Sequence, residues 1–380
     1  MFIVLISSAV SLAIGVLLVW LSRHHVRALL DHDTSGPQKL HAAIVPRVGG
    51  IGIAAGLLAV LAVWPGSPGG LVAVGWLLMF AVPVFAAGLA EDLTKRVSPR
   101  MRLVASMVSA ALAAGPLGTH LATPGVPGLE WLAAAPVLAM VVTLLCVGGL
   151  THAINLIDGL NGLASMVMII AMVAIHIVAG QVGDTVVAEL SLLGIGALLG
   201  FFALNFPYGR IFLGDGGAYL MGFWLAQLCL MLVLRNPGEV SFVFPLLLCI
   251  YPVFETAFTI YRRKMLRGHG VGYPDGIHLH QLVYRRYMRR VFGTRSHRAS
   301  AVGNSMSAPF LWALSSLAAV PAVLLHDSTP WLLACMAGFA LLYLWLYRRI
   351  VRFCLPRWAV PKVRPAAVPS DDFAHSRAEG

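Results

Sequence analysis

Apolar runs long enough to span a membrane dominate the chain and alternate with short polar clusters. A helix needs about 20 apolar residues to cross the hydrocarbon core. By that measure eleven segments qualify, at about 2–22, 48–64, 71–90, 103–119, 133–150, 163–180, 185–205, 217–234, 241–260, 308–325 and 331–347. The pattern predicts an all-α polytopic membrane protein. Polar clusters at 39–50, 91–102, 151–162, 205–217 and 261–290 each follow an alternate span, which puts all five on one side of a bilayer. Connections on the other side, such as 65–70 and 123–128, are short and rich in Pro and Gly, the composition of tight turns.

Composition supports this class. Of 380 residues 59% are hydrophobic and 11% charged, where a soluble domain carries about a quarter charged. Charge then orients the chain. The first span has no basic residue ahead of it and Arg23 and Arg27 behind it, so it reads as a retained anchor with its N-terminus outside. With that start, 26 of the 27 Lys and Arg residues fall in cytoplasmic segments and only Arg235 falls outside. One missed span would scatter these charges over both faces, so the asymmetry supports eleven helices with the C-terminus cytoplasmic. The net charge of +11 therefore describes one face, which suits anionic lipid and anionic substrates rather than nucleic acid.

Residues 1–355 read as one transmembrane unit with cytoplasmic loops at 23–47, 91–102, 151–162, 206–216 and 261–307. The tail 356–380 lacks apolar periodicity and reads as disordered. Five cysteines stand singly, with no Cys-x-x-Cys pair, and read as packing residues.

The polar clusters carry the candidate chemistry. Glu91 and Asp92 stand together at the cytoplasmic end of the third span, where acids oppose the helix dipole and are costly near lipid. Neighbours on a helix point about 100° apart, so the two need not serve one ion. The second cluster joins His152, Asn155, Asp158 and Asn161 to Gly159 and Gly162, which admit close backbone approach. Asp158 could equally cap the sixth helix. Asp215, flanked by Gly214, Gly216 and Gly217, has no evident packing role. His278 and His280, at i and i+2, share a face only in extended chain. That spacing favours phosphate or carboxylate contact over helical zinc ligation, which uses i and i+4.

In order along the chain, these clusters resemble the polyprenyl-phosphate N-acetylhexosamine-1-phosphate transferases. The likeness covers residues 39 to 285: Lys39 and His41 with Pro46-Arg47 and Gly49-Gly50, the acid pair Glu91-Asp92, Asn155-x-x-Asp158-Gly159, Phe212-x-Gly214-Asp215, and His278-Leu279-His280. The chain departs from the family pattern at Glu91, His152, Asn161 and Gln281, where Asp, Asn, Asp and a third histidine are common. The short His-x-His form looks more like the lipopolysaccharide and teichoic-acid branch than the pentapeptide branch.

The resemblance implies attack of undecaprenyl phosphate on the sugar-linked phosphorus of a UDP-N-acetylaminosugar. UMP leaves, and the lipid diphosphate sugar that starts a cell-envelope polysaccharide remains. It implies Mg²⁺, with Mn²⁺ as a substitute, held by Asp215 with Glu91 or Asp158. Asp92 would orient the lipid phosphate. His278, His280, Lys39, His41, Arg47 and Arg210 would meet phosphates, and Asn205, Phe212 and Asn161 the uracil, with Asn155 beside the Asp158 motif. The expected location is the bacterial inner membrane, multi-pass, with the site facing the cytoplasm. The oligomeric state is open, a homodimer included. A multi-pass transporter of an anionic solute is the competing class, but transporter sites lie near the midplane in broken helices, and here the acids gather at one face.

Overall fold

The computed structural model describes residues 1–24, 45–121, 128, 130–267, 277–288 and 302–352. Lys39, His41 and the 356–380 tail lie outside the described residues. Among the described residues the chain is helical, with no β-sheet. The helices are α1 (Phe2–His24), α2 (Gly49–Ala59), α3 (Pro68–Thr94), α4 (Pro99–Ala114), α5 (Glu130–Ala133), α6 (Pro136–Ile157), α7 (Leu163–Gln181), α8 (Thr185–Asn205), α9 (Gly214–Arg235), α10 (Phe244–Leu248), α11 (Ile250–Tyr261), α12 (Leu279–Val283), α13 (Ala308–Leu324) and α14 (Thr329–Val351).

Every predicted apolar segment falls on one of these helices or on a consecutive pair. Among the described residues, eight helices are long and apolar enough to cross a membrane: α1, α3, α6, α7, α8, α9, α14 and the stretch Val302–Leu324 that contains α13. This is a multi-pass membrane protein. The other three predicted segments form shorter helices. The second runs Gly49–Val63 with a 3-10 finish. α4 has 16 residues, about 24 Å at 1.5 Å per residue.

The ninth is broken at Cys249 into α10 and α11. Pro252 accounts for the break, because it has no N–H for the Leu248 carbonyl and its ring would collide with that carbonyl. Pro83 inside α3 is accommodated differently: the Val84 amide donates to Ser109 Oγ of α4 at 3.1 Å.

α9 is the hub, buried along nearly its whole length against α2, α3 and α6. Lipid tails supply no hydrophobic drive between helices, so small residues and polar contacts set the packing. Gly50 and Gly88 abut Gly217 and Gly216; a Cβ on Gly50 would lie 2.4 Å from the Gly217 nitrogen, and one on Gly88 2.7 Å from the Gly216 Cα. α1 seats against α8 through Ser11 Oγ, which donates to the Ala197 carbonyl at 2.8 Å, and Ser7 Oγ, which donates to that of Leu193 at 3.2 Å.

Arg235, the lone base on the predicted outer side, is neutralised. Its guanidinium donates to Asp184 Oδ2 at 2.7 Å and Oδ1 at 3.2 Å, and Asn236 adds a third bond to the same carboxylate.

Candidate active site

The C-terminal ends of α3 and α6, the N-terminus of α9 and the residues before α2 converge at one end of the bundle. Segment 46–50 lies along 212–213: the Phe212 amide donates to the Pro46 carbonyl at 2.9 Å, and the amides of Gly49 and Gly50 donate to the carbonyls of Phe212 and Leu213 at 3.0 and 3.1 Å. This pairing brings Arg47 to Asp215, 168 residues away in sequence.

Asp215 occupies the first turn of α9, where an acid is favoured by the helix dipole. It is 5% exposed. Arg47 donates to its Oδ1 at 3.2 Å, and the Arg102 guanidinium pairs with its Oδ2. Asp92 reaches across from α3: its Oδ1 accepts from the Asp215 amide and its Oδ2 from the Gly216 amide, each at 2.9 Å, with Arg47 Nε 3.7 Å from Oδ1. Gly214 makes the approach possible. Its φ is +75°, and a Cβ there would lie 2.3 Å from the Arg47 carbonyl and 2.5 Å from Asp92 Oδ2.

Glu91 points elsewhere, as the 100° step requires. Its Oε2 accepts from the Val97 amide at 2.9 Å and holds the turn between α3 and α4.

Asp158 is not the cap of the following helix. That position belongs to Gly162 at φ +74°, with no side-chain bond, and Asp158 ends α6 instead. Burial pushes the Asp158 carboxyl up to about 7, with Asp215 and Asp92 adding to the effect and Arg47 opposing it. Three carboxylates therefore share one field. Tyr219, one turn after Asp215, accepts at its hydroxyl from Asn155 Nδ2 at 3.1 Å, and the His152 ring lies 4.8 Å from the Tyr219 ring, centroid to centroid.

His278 and His280 do share a face. His278 precedes α12 in extended conformation, and the two rings stack at 5.5 Å with 2° between planes. A Cβ on Gly159 would lie 2.5 Å from His280 Nε2, so this pair borders the Asp158 turn. Burial pushes the His280 imidazole down to about 3, with His278 and Arg285 adding and Glu255 opposing, so it is neutral at pH 7.

Asn205 and Asn161 clasp the neighbouring loops. Asn205 accepts from the Gly162 amide and donates to the Ile211 carbonyl at 2.7 Å. Asn161 donates to Ser305 Oγ at 3.0 Å, while its buried Oδ1 has no hydrogen-bond partner among the described residues. Phe212 is half-buried beside the Arg47 segment, and Arg210 is exposed with its guanidinium 5.9 Å from the Tyr208 ring centroid.

Sequence reasoning passed over Arg102, Tyr219 and the conformational role of Gly214. A base at the start of a span, facing an acid cluster on the same side, is the signal that would have raised Arg102.

The sequence profile of glycosyl transferase family 4 matches residues 74–233, the stretch holding Glu91, Asp92, Asp158 and Asp215. The chain is also 32% identical over 251 residues to a phospho-N-acetylmuramoyl-pentapeptide-transferase of Gluconacetobacter diazotrophicus, covering 56% of this chain and 67% of the relative.

The chain belongs to glycosyl transferase family 4.

Two further relatives have similar names. A probable undecaprenyl-phosphate N-acetylglucosaminyl 1-phosphate transferase of Bacillus subtilis is 29% identical over 306 residues, 79% of this chain and 78% of the relative. An undecaprenyl-phosphate alpha-N-acetylglucosaminyl 1-phosphate transferase of Escherichia coli is 26% identical over 263 residues, 67% of this chain and 69% of the relative. The family resemblance stated from the motifs is thus borne out. The family profile covers the acid cluster and leaves Arg47, His278 and His280 outside it.

Proposed function

We propose that this family 4 transferase moves an N-acetylaminosugar-1-phosphate from a UDP-sugar to undecaprenyl phosphate. A lipid phosphate oxygen bonds to the sugar-linked phosphorus, the bond from that phosphorus to the bridging oxygen breaks, and UMP departs with that oxygen. The observation that carries the reading is the convergence of Asp92, Asp158 and Asp215 with Arg47 and Arg102 at one end of the bundle, in a chain whose relatives include proteins named undecaprenyl-phosphate N-acetylglucosaminyl 1-phosphate transferase.

Phosphoryl transfer asks mainly for positioning and charge neutralisation. Arg47 and Arg102 supply positive charge where phosphates would sit. A phosphate monoester with a second pKa near 6 is already largely dianionic at pH 7, so no strong base is needed. Asp92 has both oxygens engaged by α9 amides, which suits a role in fixing Asp215 rather than direct contact with the lipid phosphate.

Among the described residues no group of three or more His, Cys, Asp or Glu is arranged to hold a metal. Mg²⁺ requires less, one or two carboxylates with substrate phosphates completing its shell; Asp158 and Asp215 lie in one field, and Arg47 and Arg102, which hold the two Asp215 oxygens, would turn to the phosphates to free them. Asp215 with Asp158 would hold Mg²⁺, or Mn²⁺ in its place; Glu91 is turned to the Val97 amide. When bound, the ion would supply charge stabilisation at the transferred phosphate.

The reading places the chain in the bacterial inner membrane with eleven crossings, its N-terminus outside and this site on the cytoplasmic face, at the first step of cell-envelope polysaccharide synthesis. The test is a panel of UDP-sugars incubated with purified protein, Mg²⁺ and undecaprenyl phosphate. UMP release that depends on the lipid is expected with at least one UDP-N-acetylaminosugar. Intact donors throughout would reject the assignment.

A further inference from the structure

Glu255 is the one acid of α11, 1% exposed, in a segment otherwise suited to lipid and protein contact. A buried carboxylate is costly unless it is fully hydrogen-bonded. All the groups that satisfy this one belong to the histidine segment or to the helix behind it. Oε1 accepts from the Leu279 amide at 3.0 Å and lies 3.3 Å from His278 Nδ1, while Oε2 accepts from the Tyr343 hydroxyl of α14 at 2.7 Å.

Thr259, one turn further along α11, places Oγ1 3.2 Å from the same His278 nitrogen. A second row repeats the grip: the Arg262 guanidinium donates to the Ile277 carbonyl at 2.8 Å, and the Tyr347 hydroxyl does so at 3.1 Å. α11 and α14 thus hold the start of α12 between them. A carboxylate at Nδ1 also fixes the orientation of an imidazole and leaves Nε2 for other work.

We propose that Glu255 is a positioning residue: it fixes the His278 ring and, through the parallel His278–His280 stack, the placement of the Asp158–Gly159 turn in the field of Asp215. This role rests on the proposed transfer for its catalytic consequence, though not for its structural one. The contacts form a chain from Glu255 to His278 at 3.3 Å, to His280 at 5.5 Å between ring centroids, and to Gly159, which has no room for a Cβ against His280 Nε2. Among the described residues, charged and titratable groups facing this chain are Tyr251 from α11, Arg262 just after it, Tyr343 and Tyr347 from α14, and Arg285 after α12.

The test uses full-length protein in detergent, as wild type, Glu255→Gln, His278→Gln, the double variant and Tyr343→Phe. Gln keeps the size of Glu and an acceptor for the Leu279 amide, so folding should survive. Two readouts are needed.

In hydrogen exchange, amides of 277–283 should exchange faster in Glu255→Gln and Tyr343→Phe, with those of 214–222 unchanged. In UMP release, Glu255→Gln should lower kcat by roughly 10-fold or more with KM for the UDP-sugar within about 3-fold. The double variant should fall within about 2-fold of the worse single one, because residues acting as a unit are non-additive. Unchanged exchange at 277–283, a wild-type kcat for Glu255→Gln, or losses that multiply in the double variant would each overturn the proposal. Wild type that releases no UMP would reject the functional reading instead, and exchange alone would then decide this one.

Discussion

Asp92 grips the first turn of the helix that carries Asp215: its two carboxylate oxygens accept the Asp215 and Gly216 amides, 2.9 Å each, across 123 and 124 residues of sequence. The free N–H groups of a helix N-terminus are usually satisfied by a local cap. α9 has none, since Leu213 makes no side-chain bond, and α3 supplies one from a distance. The paired-acid motif therefore sets where Asp215 sits.

That relationship makes Asp92→Asn more than a change of charge. The Asn amide would turn a donor toward one of two donating N–H groups and leave it unpaired, at a cost of about 1–3 kcal/mol. Thermal unfolding in detergent should show the loss, and UMP release should fall with it. Glu91→Gln should keep most of its stability, because Gln can still accept the Val97 amide. Equal unfolding midpoints for wild type and Asp92→Asn would show that the clamp contributes nothing.

Gly214→Ala puts a methyl group into contact with the Arg47 carbonyl and Asp92 Oδ2 while holding the backbone at φ +75°. Strain of about 1–3 kcal/mol is expected from the backbone alone, with loss of transfer as Asp215 shifts. Gly338→Ala is the control, with nothing within 4 Å of its Cβ, and should stay within about 0.5 kcal/mol of wild type. A fully active Gly214→Ala enzyme would mean that the Arg47–Asp215 approach is not needed.

Much of this architecture was legible in the sequence because lipid imposes a simple rule, that a long apolar run becomes a helix. The chain breaks that rule visibly at Pro252. The polar clusters announced a site through their shared side. What could not be read was how they interlock. The Arg102–Asp215 pair spans 113 residues, and the Asp92 clamp uses backbone amides, which carry no residue signature. Asn205 and Asn161, expected at uracil, are seen here as loop clasps, and the partners of Glu255 come from Leu279 and Tyr343, 24 and 88 residues away.

Stability should depend on pH through two opposed groups. The Asp158 carboxyl, raised from 3.8 to about 7, favours its protonated form in the fold, so it opposes folding increasingly as pH rises from about 4 and fully above about 7. Asp158→Asn should therefore raise the unfolding midpoint at pH 8 more than at pH 5 in EDTA, while abolishing transfer. His280, lowered from 6.5 to about 3, favours its neutral form, so its contribution is complete above pH 6.5 and is lost on acidification toward pH 3. His280→Gln should flatten the acid limb. An Asp158→Asn midpoint offset that is the same at both pH values would contradict the assignment for Asp158.

The central claim is that the carboxylate of Asp215 serves the transfer, and one comparison tests it most directly. Purified wild type and Asp215→Asn, matched for unfolding midpoint, are assayed for UMP release from the best UDP-N-acetylaminosugar with undecaprenyl phosphate across a Mg²⁺ titration. Asn keeps the size and hydrogen-bonding reach of Asp and removes the charge, and metal-centred stabilisation is worth several kcal/mol. A loss of about 10³-fold or more at every Mg²⁺ concentration is the expected result. Near-wild-type UMP release by Asp215→Asn would contradict the account and leave the metal-binding role to Asp158 without Asp215.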